Sequence, residues 1–208
     1  GFATKETIEA LRPFLIDEDP FHIGPLWETM RRHCRYSGGN SPPSILALTG
    51  IENALYDIVG KALGVPVYQL LGGPFRDRIR LYADCHAGET HEPQAYAEKA
   101  LEVLEEGYTA LKFDVDNVSP GKLDRHSRSL TAQEMRHIVD IIATTREAIG
   151  YEVDLAIDCH GQFDMGSAIT LAHAVEDLRL MWLEEPVPAE NVDAMAQVRE
   201  STSTLICT

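Results

Sequence analysis

Two neighbouring stretches decide the fold, Asp154-Leu155-Ala156-Ile157-Asp158-Cys159-His160 and Leu180-Met181-Trp182-Leu183-Glu184-Glu185-Pro186. Each is a short apolar run that ends in polar or acidic residues, and a segment with helical periodicity, from about Met165 to Leu178, separates them. Two parallel strands joined by a helix bring their carboxyl ends to the same edge of a sheet. The sequence therefore predicts a β-α-β unit with Asp158 and Glu184 side by side at that edge.

The alternation of short apolar runs and helical segments continues on both sides of this unit. Strands are predicted at residues 79–83, 110–114, 155–157, 181–183 and 205–208. Helices are predicted between them at residues 94–106, 130–149, 166–178 and 191–200. Such repeats are typical of an α/β fold with a parallel sheet, either an open doubly wound sheet or the first half of a (β/α)₈ barrel. The absence of a GxGxxG motif after the first strand disfavours a dinucleotide-binding sheet.

The first part of the chain has a helical pattern without strands. Apolar residues recur at helical spacing in the segments 5–14, 21–35 and 45–62. Gly64, with Pro66 just beyond it, predicts the end of the third helix. A breaker follows at Leu70-Leu71-Gly72-Gly73-Pro74. We therefore expect two regions, a helical one at residues 1–73 and an α/β one at residues 74–208.

The composition narrows the range of partners and locations. The chain has 208 residues, enough for a full core, and a net charge of −15, which argues against nucleic-acid and anionic-membrane partners. No apolar run is as long as a membrane span, and no signal-peptide pattern opens the chain, so we expect a cytoplasmic protein. The four cysteines form no CxxC pair, which favours reduced thiols.

Asp158 and Glu184 are the candidate metal ligands. Functional residues of a barrel lie at the carboxyl ends of its strands, and both residues have that position. Clustered carboxylate oxygens are the ligands that hard cations such as Mg²⁺ prefer. The alternative is that each carboxylate caps a helix or pairs with a lysine or arginine. Two such carboxylates at equivalent strand ends favour the metal site.

His160 and Lys112 are the candidate catalytic groups near this site. By strand alternation His160 shares a face with Asp158, where it can be a ligand or an acid–base group. Lys112 and Asp114 flank Phe113 on the second strand and face away from the helices. Lys112 can bind a substrate carboxylate or move a proton, although a simple ion pair with Asp114 is the alternative.

The first strand carries a weaker version of the same signal. Asp84 and His86 repeat the spacing of Asp158 and His160, but nothing else in the sequence singles them out. The sequence alone assigns them no role.

Several ordered motifs together resemble one family. They are the segments 48–58 and 60–73, Lys112-Phe113-Asp114, Asp158-Cys159-His160-Gly161 and Glu184-Glu185-Pro186. This pattern resembles the enolase superfamily, mandelate racemase/muconate lactonizing group, over essentially the whole chain. The resemblance implies the first half of a modified (β/α)₈ barrel, preceded by the helical part of an α+β capping domain.

The resemblance also implies a magnesium site and a longer protein. Members bind Mg²⁺ through carboxylates at the ends of the third, fourth and fifth strands, and Asp158 and Glu184 match the first two. The third would lie just past Thr208, so we expect these 208 residues to be an internal piece that is inactive alone. At full length we expect a homo-oligomer.

Within the group, Asp-x-His-Gly resembles acid-sugar dehydratases of the galactonate or gluconate type. The resemblance nominates His160 as the general acid for the departing hydroxyl. We also expect Lys112 and Asp114 to bind the substrate, because they lie beside the predicted metal site. Asp114 replaces the second lysine of the group's Lys-x-Lys pattern, which disfavours a two-base racemase. We expect Mg²⁺-dependent dehydration of a sugar acid to a 2-keto-3-deoxy product. The alternatives are a racemase or epimerase, and a non-catalytic relative with a regulatory role.

Overall fold

The structure is a computed structural model that describes residues 2–37, 39–88, 90–116 and 126–208. The chain divides into two compact units, Gly1–Ile79 and Arg80–Thr208, each with its own buried core. This division falls a few residues after the sequence-based boundary between residues 73 and 74, which stays a prediction of the domain limits.

The first unit is helical. Its helices are α1 (Phe2–Leu11), α2 (Ile23–Cys34), α3 (Pro42–Leu63) and α4 (Val67–Leu70), with 3₁₀ turns at Arg12–Phe14 and Arg35–Ser37. Gly64 ends α3 as predicted, because its left-handed backbone, with φ 67°, lets its N–H donate to carbonyls of the last turn. In the described part of the chain, no helix is both long and apolar enough to cross a membrane.

The second unit alternates strands and helices. Its strands are β1 (Ala83–Asp84), β2 (Ala110–Asp114), β3 (Asp154–Asp158), β4 (Trp182–Glu184) and β5 (Ile206–Cys207). Its helices are α5 (Pro93–Glu105), α6 (Ala132–Ile149), α7 (Met165–Ala174) and α8 (Val192–Ser201), with a 3₁₀ turn at Glu176–Leu178. All neighbouring strands are parallel, in the order β1-β2-β3-β4-β5. A doubly wound sheet reverses its order at a switch point, so the consecutive order confirms the partial barrel.

The first strand is shorter and lies later than the sequence predicted. Only Ala83 and Asp84 pair with β2, opposite Leu111 and Lys112. The predicted strand at 79–83 relied on apolar residues that are exposed in the structure, among them Ile79 at 75% and Leu81 at 64%. An apolar run was therefore mistaken for a buried strand.

Strand β2 separates a core face from a polar face. Phe113 is fully buried and its ring packs against the ring of Tyr96 in α5, with 5.1 Å between centroids. Leu155, Ile157 and Cys159 belong to the same core cluster. The prediction that Phe113 faces the helices is thus confirmed. All four cysteines are free, in agreement with the expected reduced thiols.

A buried arginine joins the segments that lead into β3 and β4. Arg146, near the end of α6, is 2% exposed. Its guanidinium donates to the carbonyls of Leu178 at 2.8 Å, Gly150 at 2.9 Å, Val153 at 2.7 Å and Arg179 at 3.1 Å. Burial lowers the pKa of Arg146. The four carbonyl oxygens supply the hydrogen-bond acceptors that a buried cation requires. One charged side chain therefore joins the segments that precede β3 and β4, at the opposite end of these strands from Asp158 and Glu184.

Candidate metal and substrate site

The register of the parallel strands brings three carboxylates to one level. Asp114 in β2 is the Cα partner of Asp158 in β3, and Asp158 is the partner of Glu184 in β4. Neighbouring strands lie about 4.8 Å apart, so these side chains are direct neighbours. The structure thus places the two predicted ligands side by side, with Asp114 next to them.

Lys112 links the two predicted metal ligands. Its Nζ donates to Asp158 Oδ2 at 2.6 Å and to Glu184 Oε2 at 3.1 Å. The alternative of a Lys112–Asp114 pair within β2 is therefore wrong, because the ammonium reaches across to β3 and β4 instead. Burial lowers the pKa of Lys112, but its hydrogen bonds to the two carboxylates outweigh burial and raise it overall.

The same contacts act on the carboxylate of Asp158, whose side chain is 5% exposed. Burial alone raises the pKa of Asp158, but the hydrogen bonds from Lys112 and from the backbone N–H of His160 outweigh it and lower the pKa. The carboxylate is therefore held in its charged form, the form that binds cations.

Two aromatic residues frame Glu184 and Lys112. The indole N–H of Trp182 donates to Glu184 Oε2 at 2.9 Å, as their shared strand face allows. The Trp182 ring meets the Tyr82 ring edge-on at 5.7 Å, and Lys112 Nζ lies 5.9 Å from the Tyr82 centroid. The sequence reasoning missed Tyr82, although it lies two residues before Asp84 and alternation could have placed both on one face.

His160 lies at the site, but not through strand alternation. Strand β3 ends at Asp158, and His160 has a left-handed backbone with φ 45°. Its Nε2 lies 3.6 Å from Asp158 Oδ2, and its Nδ1 lies 3.3 Å from Asp116 Oδ1 and 3.8 Å from Asp114 Oδ2. Burial lowers the pKa of His160, but the carboxylates around it outweigh burial and raise it. His160 thus lies beside Asp158, but the turn after β3 brings it there rather than strand alternation.

A second imidazole completes the cluster. His86 Nε2 lies 3.1 Å from Asp114 Oδ2 and 3.5 Å from Asp84 Oδ1. Asp114 is thus flanked by His86 and His160, and burial is the main cause that raises its pKa. The repeated Asp-x-His spacing was the sequence signal for His86. The pairing of β1 with β2 is what brings His86 next to Asp114.

The turns that follow β3 and β4 are joined by backbone hydrogen bonds. The N–H of Gly161 donates to the carbonyl of Glu185 at 2.7 Å, and that of Phe163 donates to Pro186 at 3.3 Å. Gly161 has φ 65°, and a Cβ there would lie 3.2 Å from Pro188 Cα. The ladder therefore continues past the strands and fixes the distance between the two turns.

Alanine at position 161 is expected to lower the free energy of unfolding by about 2–3 kcal/mol, because the new Cβ meets backbone atoms in a left-handed conformation. Gly88→Ala is the matched control, since Gly88 has φ 72° but no atom of the described residues lies within 4 Å of a Cβ there. The control is expected to lower the free energy of unfolding by only about 1 kcal/mol, the cost of a left-handed backbone at alanine. Urea unfolding measures both, and equal losses would show that the contact with Pro188 is immaterial.

The donor set suits a hard divalent cation. A cation, the Lys112 ammonium, already lies where Asp158 Oδ2 and Glu184 Oε2 converge. Asp114, Asp158 and His160 can each offer a ligand atom, and these atoms lie within 4.8 Å of one another. Oxygen-rich clusters of this kind fit Mg²⁺.

Comparison with known proteins identifies the family. The family described as "Enolase C-terminal domain-like" matches residues 95–208, more than half of the chain. The family described as "Mandelate racemase / muconate lactonizing enzyme, N-terminal domain" matches residues 2–72. The chain therefore belongs to the enolase superfamily, in its mandelate racemase/muconate lactonizing enzyme group.

Individual relatives agree with this assignment. The D-xylonate dehydratase of Haloferax volcanii is 45% identical over 200 residues, which are 96% of this chain and 48% of that protein. The mandelate racemase/muconate lactonizing enzyme-like protein of Rubrobacter xylanophilus matches with a TM-score of 0.92 and 43% identity, over 99% of this chain and 56% of that one.

A third match comes from a structure with bound ligands. An enolase from Pantoea ananatis with bound D-gluconate and Mg has a TM-score of 0.83 and 29% identity, and the match covers 99% of this chain and 55% of that one. The chain thus spans about half the length of the relatives it matches.

Proposed function

We propose that the protein carrying this chain dehydrates a sugar acid to a 2-keto-3-deoxy sugar acid. The observation that carries the proposal is the position of His160 beside Asp158, with Lys112 and Glu184 at the same sheet edge. This arrangement offers a proton donor, a cation for a carboxylate and a pair of metal ligands within one small region. The name of the 45% identical xylonate dehydratase supports the same substrate class.

The reaction needs a donor for the departing hydroxyl. The C2–H bond breaks and its proton goes to a base; the electron pair forms the C2–C3 double bond as the C3–O bond breaks. The oxygen leaves as water when an acid protonates it, and the resulting enol rearranges to the ketone. His160 is the proposed acid, because its imidazole is half-exposed at the edge where a substrate can reach it.

Asp158 and Glu184 would hold Mg²⁺ through their carboxylates. When bound, Mg²⁺ withdraws charge from the substrate carboxylate and so makes the C2 proton more acidic. The other proposed roles belong to Lys112 and Asp114, whose side chains lie at the same site. Lys112, kept as an ammonium by its neighbours, would bind the substrate carboxylate rather than take up a proton. Asp114 would contact the substrate beside His160.

A panel of aldonates tests the proposal directly. The protein, expressed at the full length that its gene encodes, is incubated with Mg²⁺ and xylonate, gluconate, galactonate or arabinonate. We expect a 2-keto-3-deoxy product from at least one of them. Exchange of the C2 hydrogen without loss of water would instead identify a racemase or epimerase. A protein that binds Mg²⁺ but turns over none of the panel would contradict the proposal.

The variant His160→Gln isolates the acid step. Dehydration is expected to fall by about 10²–10⁴-fold, because a general acid contributes that much, while C2 hydrogen exchange in D₂O continues. His22→Gln, an exposed histidine in the first unit, is the control and should leave both rates unchanged. Parallel loss of exchange and dehydration would assign His160 to another step.

Location and assembly belong to the same proposal. We infer a cytoplasmic homo-oligomer whose partner is a small sugar acid, on the basis of the composition and the family pattern. Fractionation of cells and the mass of the purified full-length protein in solution measure these two properties.

A further inference from the structure

The Lys112 ammonium lies at the centre of the proposed metal site. Its Nζ contacts one oxygen of each proposed ligand, Asp158 Oδ2 at 2.6 Å and Glu184 Oε2 at 3.1 Å. The Lys112 side chain is only 13% exposed, and the ring of Tyr82 lies 5.9 Å from its Nζ. The ammonium is thus an enclosed part of the site rather than a mobile surface group.

Other hydrogen bonds fix the direction of both carboxylates. The backbone N–H of His160 donates to Asp158 Oδ1 at 3.0 Å, which leaves Oδ2 directed at the ammonium. The indole N–H of Trp182 donates to the same Glu184 oxygen, Oε2, that Lys112 contacts. Oδ2 and Oε2 therefore converge on one position that suits a cation.

Two partly buried carboxylates on neighbouring strands repel each other unless a cation lies between them. A divalent cation held by the same two carboxylates would lie close to the Lys112 ammonium, and two cations at that distance repel each other strongly. The position can hold one of them at a time.

We propose that Lys112 and the divalent cation bind Asp158 and Glu184 in mutual exclusion. The ammonium holds the two carboxylates together before the metal arrives, and metal binding displaces it. The displaced ammonium then becomes available to the substrate carboxylate, so that metal binding precedes productive substrate binding. The inference rests on the proposed metal site within the proposed function, and not on the dehydration step.

Magnesium titration of lysine variants tests the inference. The full-length protein is stripped of metal with EDTA, dialysed and titrated with MgCl₂ by calorimetry. Lys112→Met is expected to bind Mg²⁺ about tenfold more tightly than the parent, because the competing state is removed. In EDTA its melting temperature should lie below that of the parent, and saturating Mg²⁺ should narrow the difference.

The control is Lys99→Met, which removes the same charge from an exposed pair with Glu102 on α5. It should bind Mg²⁺ as the parent does. Lys112→Gln, neutral but still an N–H donor, serves if the methionine variant does not fold even with Mg²⁺. Parental or weaker Mg²⁺ affinity in a folded Lys112 variant would overturn the inference, as would no Mg²⁺ binding by the parent. Failure to turn over any aldonate, with these titrations as expected, would overturn only the dehydratase assignment.

Discussion

Asparagine in place of Asp158 is expected to lower aldonate turnover by about 10³-fold or more and to abolish measurable Mg²⁺ binding. The substitution keeps the shape of the side chain but removes one of the two carboxylates that converge on the proposed metal position. A bound metal supplies several kcal/mol of charge stabilisation, and each ~1.4 kcal/mol changes a rate tenfold. Turnover of the aldonate found in the panel and calorimetric titration with MgCl₂ measure the two effects separately.

The control lies on the same strand. Asp154→Asn makes the identical change at the opposite end of β3, where the side chain is 46% exposed and pairs with Arg80. Because exposed ion pairs contribute about 0.2–1 kcal/mol, turnover and Mg²⁺ affinity should be unchanged. If Asp158→Asn retained parental Mg²⁺ affinity, the metal would have to lie elsewhere.

Methionine in place of Arg146 is expected to reduce the free energy of unfolding by about 3–5 kcal/mol. The guanidinium satisfies four backbone carbonyls, and methionine leaves them without that donor in a buried position. For a chain of this size such a loss lowers the melting temperature by roughly 10 °C. Hydrogen exchange should show the earliest loss of protection in the segments before β3 and β4.

Two further variants separate charge from geometry. Arg136→Met removes an exposed arginine from the same helix and should stay within about 0.5 kcal/mol of the parent. Arg146→Lys keeps the charge but cannot reach four carbonyls at once, so its loss should be intermediate. A free energy of unfolding for Arg146→Met equal to that of Arg136→Met would mean that the buried hydrogen bonds contribute nothing.

The strands that carry the site were predictable because their signals are local. Strand β2 has the predicted limits, and β3 and β4 differ from theirs by one residue at each end. Short apolar runs before acidic residues suffice to place Asp158 and Glu184 at strand ends. The motif pattern then indicated the superfamily, which the family comparisons confirm.

The contacts within the site were harder to predict because they are not local. Whether Lys112 pairs with Asp114 on its own strand or with Asp158 on the next depends on which residues of the two strands lie opposite each other. Sequence periodicity restricts this register to steps of two residues but does not select one of them. His160 reaches the site through a left-handed turn, a conformation that non-glycine residues seldom adopt. The prediction of the first strand at residues 79–83 was wrong although its signal was local. Its apolar run suggested a buried strand, whereas several of these side chains are exposed in the structure.

The hydrogen bond from Trp182 to Glu184 Oε2 has an optical consequence. Indole emission responds to charge near its N–H, and the chain has only one other tryptophan, Trp27, in the first unit. Replacement of the Lys112 ammonium by a divalent cation at Glu184 would change the electric field at the Trp182 ring. The chain therefore contains an intrinsic fluorophore next to the proposed metal position, and its emission can report metal binding without a label.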